Sequence, residues 1–223
     1  SREPEPSQEP APSPIGAEAA WTSPRLGLSE WILGLAAFGY TQLPIRTILS
    51  DVGVFAAVGL LAATAWRRRL PPCPERAQGA RAEAWLAGGT LLSALALVGF
   101  AFWRGAEALR PANVSVTLVF YVPFAFLQQW ITLRYLTQRF AGRLVGGRSL
   151  PGAILGGVLF GLCHLPFPLL ILPTLVSGVL WTLAWRAGAR LWTVALSHAL
   201  LGGLLFLSVV ERDPFRGLWA LWP

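Results

Sequence analysis

Lysine and methionine are absent from this 223-residue chain, and carboxylates and histidines are scarce. All 18 basic residues are arginine, which we read as the coding bias of a high-GC genome and not as a function. Only 13% of residues are charged, where a soluble domain carries about a quarter. Hydrophobic residues make up 54% and the mean hydropathy is +0.54. That balance excludes an ordinary soluble domain and gives a membrane protein. The net charge of +7 invites a nucleic-acid reading. The arginines sit between apolar segments, however, and form no basic stripe with interleaved aromatics, so no nucleic-acid partner is expected. The two cysteines, Cys73 in a basic loop and Cys163 in an apolar stretch, do not make a disulfide framework. No Asp or Glu occurs between Glu107 and Glu211, so carboxylate chemistry is missing from that whole stretch.

Residues 1–25 carry Pro4, Pro6, Pro10, Pro12, Pro14 and Pro24 among Glu and Ser. Such a composition cannot bury a core, and a disordered tail is expected there, without the features of a secretory signal peptide. The chain starts at Ser1, which points to a removed initiator or a trimmed terminus. Residues 26–223 read as one all-α domain, a polytopic transmembrane helix bundle of about six to seven spans. Trp31–Tyr40 is a short apolar stretch, interfacial or a short helix. The spans follow at about Thr47–Trp66, Ala84–Trp103, Val116–Leu136, Pro151–Leu165, Leu169–Trp185 and Leu191–Val210. Pro151 suits a first helical turn, and Pro166 and Pro168 should stop the helix before them. Trp85, Trp103, Trp185 and Trp192 fall at span ends, as in an aromatic belt.

Arginine counts set the orientation. Arg67, Arg68, Arg69, Arg76 and Arg81 follow the first span, Arg139, Arg143 and Arg148 the third, and Arg186 and Arg190 the fifth. These loops fall on one side, which should be cytoplasmic, in a multi-pass protein of a bacterial inner membrane. The opposite side carries fewer, Arg104 and Arg110 in one loop and none in the other, with Arg212 and Arg216 in the tail after the sixth span counting against the assignment.

Inside this apolar frame the only two histidines, His164 and His198, both lie at bilayer depth, and Gln128-Gln129 sits in a third span. Ionisable groups are costly there and usually face a protein interior as part of a functional site. Phe160 and His164 are four residues apart and share a helix face, as do His198 and Gly202. Glycines at 152, 156, 157, 161, 202 and 203 permit close helix approach. Glutamines in a membrane also serve as plain interhelical hydrogen-bonding glue, and Arg134 near a span end also suits a snorkel to the headgroups. Asp51, at a span's start, complements a helix dipole better than it supplies a base. Cys163 and Ser197 adjoin the histidines in sequence, and adjacent helical positions do not face each other.

Taken together these residues resemble the CAAX protease and bacteriocin-processing family. Phe160-Gly-Leu-Cys-His164 looks like its FxxxH motif, and His198-Ala-Leu-Leu-Gly202 like its HxxxN or HxxxD motif. Leu127-Gln-Gln-Trp-Ile-Thr-Leu-Arg134 stands where EExxxR belongs, and the resembling core covers about Val116–Leu207. The resemblance implies an intramembrane endopeptidase, with a glutamate and two histidines around an activated water. Its substrate would be a membrane-proximal or lipidated peptide. It leaves open a metal site, with zinc on His164 and His198, or a metal-free one. The chain departs from the pattern where the chemistry is concentrated. The glutamates are Gln128 and Gln129, the Asn or Asp is Gly202, and the arginine comes one place late. Glutamine has no proton affinity of the kind a general base needs. A histidine can replace it, but two imidazoles fall short of the three protein ligands usual for catalytic zinc. The expected site is therefore His164, His198, Gln128 and Gln129, supported by Phe160, Arg134 and Gly202. It belongs to an intramembrane endopeptidase homologue, or to an inactive relative that binds a peptide or partner. A transporter or channel would need a second polar layer, which the last three spans lack.

Overall fold

The computed structural model describes residues 79–105, 111–141, 149–165 and 168–210. The expected tail, the Trp31–Tyr40 stretch, Asp51 and the Thr47–Trp66 span lie outside these. Every described element is helical. In chain order they are α1 (Gly79–Arg104), α2 (Pro111–Gln129), a π-helical continuation (Trp130–Ala141), α3 (Ser149–Leu162), α4 (Pro168–Arg186) and α5 (Leu191–Leu205). A short π-helical end, Phe206–Val210, follows α5. Among the described residues four helices are long and apolar enough to cross a membrane: Gly79–Arg104, Asn113–Arg134, Pro168–Arg186 and Leu191–Val210.

The outward faces explain why. Leu92, Phe102, Trp103, Leu169 and Leu172 are more than two-thirds exposed, which costs nothing where the solvent is hydrocarbon. The inward faces are built of small residues and a few large anchors. Ala82, Leu86, Ala94 and Ala101 form the buried side of α1, which packs on α5. Leu133, Phe160, Trp181, Trp185 and Val194 fill the centre. Trp185 therefore departs from the expected aromatic belt. It is 2% exposed and packs in the core, whereas Trp85, Trp103 and Trp192 are exposed as a belt requires.

The tightest contact is between α3 and α4. The Cα of Gly157 lies 3.0 Å from where a Cβ on Gly178 would stand, and a Cβ on Gly157 would meet the Leu175 carbonyl oxygen at 2.8 Å. Only glycine lets two backbones approach so closely, and the resulting packing replaces the hydrophobic force that lipid cannot supply. The helix α3 is shorter than the fourth span expected for it. It has 14 residues, about 21 Å at 1.5 Å per residue, short of the roughly 30 Å of a hydrocarbon core. It closes through i→i+3 bonds, His164 N–H donating to Gly161 O and Leu165 N–H to Leu162 O, before Pro166 is reached. Pro168 opens α4 instead of ending α3, because a first-turn position needs no N–H.

A glycine-terminated turn joins α4 to α5. Gly188 has φ 96°, and the N–H groups of Gly188 and Ala189 donate to the carbonyls of Trp185 and Ala184. That is the Schellman arrangement, with the left-handed residue just past the helix. At the start of α5 the Glu83 carboxylate, reaching from α1, accepts from Arg190 N–H at 2.9 Å and Thr193 Oγ1 at 3.2 Å. The Arg190 guanidinium adds a contact of 3.6 Å. A carboxylate here satisfies orphan donors and complements the positive helix end. It also puts the start of α1 and the α4–α5 turn at the same end of the bundle, as the arginine counts require.

Candidate functional site

Three helices deliver the motif residues to one place. His198, in the middle of α5, is 3% exposed and sits in a cage of rings. Its imidazole lies 4.7 Å from Trp181 of α4, 5.5 Å from Phe160 of α3 and 5.7 Å from Tyr121 of α2, between centroids. The last two contacts are edge-to-face, the favoured aromatic geometry. Phe160 is shared between the histidines, since its ring is also 5.1 Å from that of His164. Gln129, fully buried at the end of α2, places its amide Nε2 3.2 Å from His198 Nδ1.

His164 lies just past the end of α3, and its Nδ1 is 2.9 Å from the carbonyl oxygen of Phe160. A carbonyl only accepts, so Nδ1 carries the proton and a neutral His164 holds its lone pair on Nε2. The FxxxH spacing thus has a local purpose: the residue four back orients the imidazole through its own backbone. The side-chain oxygens of Gln128 and Gln129 are both buried with no hydrogen-bond partner. Buried carbonyls of this kind are uncommon and usually mark strain, function or an absent ligand.

The backbone changes its pitch within the first motif-like stretch. The helix widens to π geometry immediately after Gln129. A π turn inserts one residue, so position i faces i+5 instead of i+4. Arg134, five residues after Gln129, therefore takes the direction that the fourth residue has in an α-helix. Leu133, which a strict α spacing would put there, is instead wholly buried in the central core. Pro123 interrupts the hydrogen-bond ladder about two turns earlier within α2.

Gly202 has a steric explanation. A Cβ there would stand 2.8 Å from the Tyr121 hydroxyl, so the phenol occupies the volume that the motif's Asn or Asp would need. Tyr121 and Trp181 were not singled out in the sequence. Their only signal there was a polar-tipped aromatic in mid-span, away from the interface where such rings normally sit. Ser197 is not paired with a histidine. It accepts the Trp181 indole N–H at 2.9 Å and shares a 2.6 Å hydrogen bond with Thr90 of α1, which fixes the indole lying against His198. Cys163 lies half-buried in the turn before His164 and forms no disulfide.

The donor set does not suit zinc. Two imidazoles are present, short of three protein ligands, and the amide on His198 Nδ1 places that ring's proton on Nε2. Among the described residues no group of three or more His, Cys, Asp or Glu could hold a metal ion.

Residues 110–204 match the family model for type II CAAX prenyl endopeptidase, Rce1-like. No curated protein and no solved structure matches the chain significantly. The matched stretch contains all three motifs and every residue of the cage around His198. Residues 110–204, which include the motif-bearing helices, are thus similar to the Rce1-like type II CAAX prenyl endopeptidases.

Proposed function

We propose that this protein is an intramembrane endopeptidase homologue of the CAAX-processing type. Its site takes a membrane-proximal or lipidated peptide segment at His164, His198, Gln128 and Gln129. Phe160 holds the two imidazoles apart at a fixed spacing, and Arg134 and Gly202 complete the surroundings. The observation that carries this reading is the meeting of the three motifs around His198: the Gln129 amide on its Nδ1 and the Phe160 ring between the two histidines.

In a hydrolytic cycle the work of the missing glutamate falls to an imidazole. Nε2 of His164 takes a proton as water adds to the scissile carbonyl carbon, then returns it to the leaving amine. The amide groups of Gln128 and Gln129 orient the peptide and donate to the developing oxyanion. In the membrane the arginine-rich ends face the cytoplasm, and we propose a bacterial inner membrane as its location.

A second reading, a peptide- or partner-binding relative that does not cut, is favoured by one observation. Glu83 is the only carboxylate among the described residues, and it is committed to the start of α5. Position 190 is eight residues from His198, about 12 Å along the helix. Loss of an essential base lowers rates by orders of magnitude.

One assay separates the readings. The purified protein in lipid is offered membrane-proximal and prenylated peptides, alongside His164→Ala, His198→Ala and a Gln128→Glu/Gln129→Glu double variant. Cleavage by the wild type that both alanine changes abolish supports hydrolysis without the glutamate. Cleavage by the double variant alone supports a non-cutting binder on an intact scaffold. Peptide that neither binds nor is cut by any of the four folded proteins rejects both readings.

A further inference from the structure

We propose that Gln129 is a positioning residue that sets the tautomer of His198, so that the two histidines are held in opposite protonation patterns. His164 donates from Nδ1 to the Phe160 carbonyl at 2.9 Å, which leaves the lone pair on Nε2. His198 has its Nδ1 3.2 Å from the Gln129 amide nitrogen, an N–H group that only donates. Nδ1 of His198 is then the acceptor, and the ring proton sits on Nε2.

The reverse arrangement, with the amide turned over, is chemically costlier. Gln129 is fully buried, and the position now held by its oxygen has no hydrogen-bond partner. Turning the amide would put an NH2 with two hydrogens where one carbonyl now stands. Buried orphan N–H groups are rarer in proteins than under-satisfied carbonyls. The observed orientation leaves a carbonyl as the orphan.

A glutamate at position 129 would do the opposite. A carboxylate only accepts when ionised, so it would pull the His198 proton to Nδ1 and free Nε2 as a base or ligand. The glutamine therefore does more than remove a carboxylate. It converts the neighbouring imidazole from acceptor to donor on its far side. One donor, His198 Nε2–H, and one acceptor, His164 Nε2, complement an uncharged amide group. They do not suit a shared dication, which needs a lone pair from each ring. The tautomer assignment stands independently of whether the protein cuts peptide; the choice of ligand class rests on the function proposed above.

The chain contains two histidines only, which makes the test direct. Nitrogen-15 histidine NMR on the protein in lipid gives two imidazole spin systems, assigned by their loss in His164→Ala and His198→Ala. Protonation of His198 at Nε2 and of His164 at Nδ1 in the wild type is the expected result. In Gln129→Glu the His198 proton moves to Nδ1, or both nitrogens become protonated, while the His164 pattern stays. A wild-type His198 protonated at Nδ1 overturns the proposal without recourse to any variant. An unchanged His198 pattern in a folded Gln129→Glu protein, read at a pH where the carbon-13 carboxyl shift shows the new side chain ionised, overturns it equally. No ligand enters the measurement, so its failure is distinct from failure of the peptide-binding reading.

Discussion

At the scale of single residues, the cage around His198 is maintained by contacts that tolerate little change. Ser197 accepts from the buried Trp181 indole, and Ser197→Ala leaves that N–H orphaned. We expect a loss of about 1–3 kcal/mol, read as a lower midpoint in unfolding from mixed micelles, with the Trp181 emission changed. Gly178→Ala should be worse than its small added volume suggests, since a Cβ there already stands 3.0 Å from the Gly157 backbone. Overpacking of this kind costs about 1–3 kcal/mol and should separate α3 from α4, seen as faster proteolysis between them. The histidines and glutamines were legible in the sequence because polar groups in apolar runs stand out. Tyr121 was not, because which face of α2 turns to Gly202 depends on helix rotation, and an apolar span with hydrophobic residues all round carries no periodic signal to fix it.

At the scale of elements, helix ends are where this chain spends its few polar groups. Glu83→Ala removes the acceptor for Arg190 N–H and Thr193. We expect a destabilisation of about 1 kcal/mol, in the range of a lost helix cap, visible as increased amide exchange confined to the first turn of α5. Gly188→Ala forces a left-handed conformation on a residue with a Cβ, at about 1–2 kcal/mol, and should lower the unfolding midpoint without altering the site. The apolar spans from Ala84 to Val210 were readable from length and hydropathy, and the described helices follow them within a few residues. The end of α3 was not, because the prolines that suggested its stop lie beyond the i→i+3 turn that ends it, and Pro168 serves the next helix. The core position of Trp185 was equally hidden. A tryptophan at a span end reads as an interface residue until the neighbouring helices that cover it are known.

At the scale of the whole molecule, the contact from Glu83 to Arg190 ties two arginine-rich ends together. On a background with Cys73→Ser and Cys163→Ser, Ala80→Cys and Ala187→Cys should react with an impermeant thiol reagent from the same side of sealed vesicles. Gly105→Cys should react only from the other. Labelling of positions 80 and 187 from opposite sides would contradict the topology. The positive-inside pattern made this arrangement readable from composition alone, because it depends on counts of charge and not on side-chain geometry.

The widened helix after Gln129 has a consequence for how such proteins are recognised. Motifs written as fixed spacings assume a constant helical pitch. A single inserted residue breaks EExxxR as text, yet the π geometry that runs from Trp130 to Ala141 turns position i toward i+5 and carries Arg134 toward the direction of the motif's arginine. Descendants of one ancestor can thus differ by a letter in their signature while keeping the same spatial relation between its residues. A search keyed to angular position about the helix axis, in place of letter count, would collect chains that a string pattern discards.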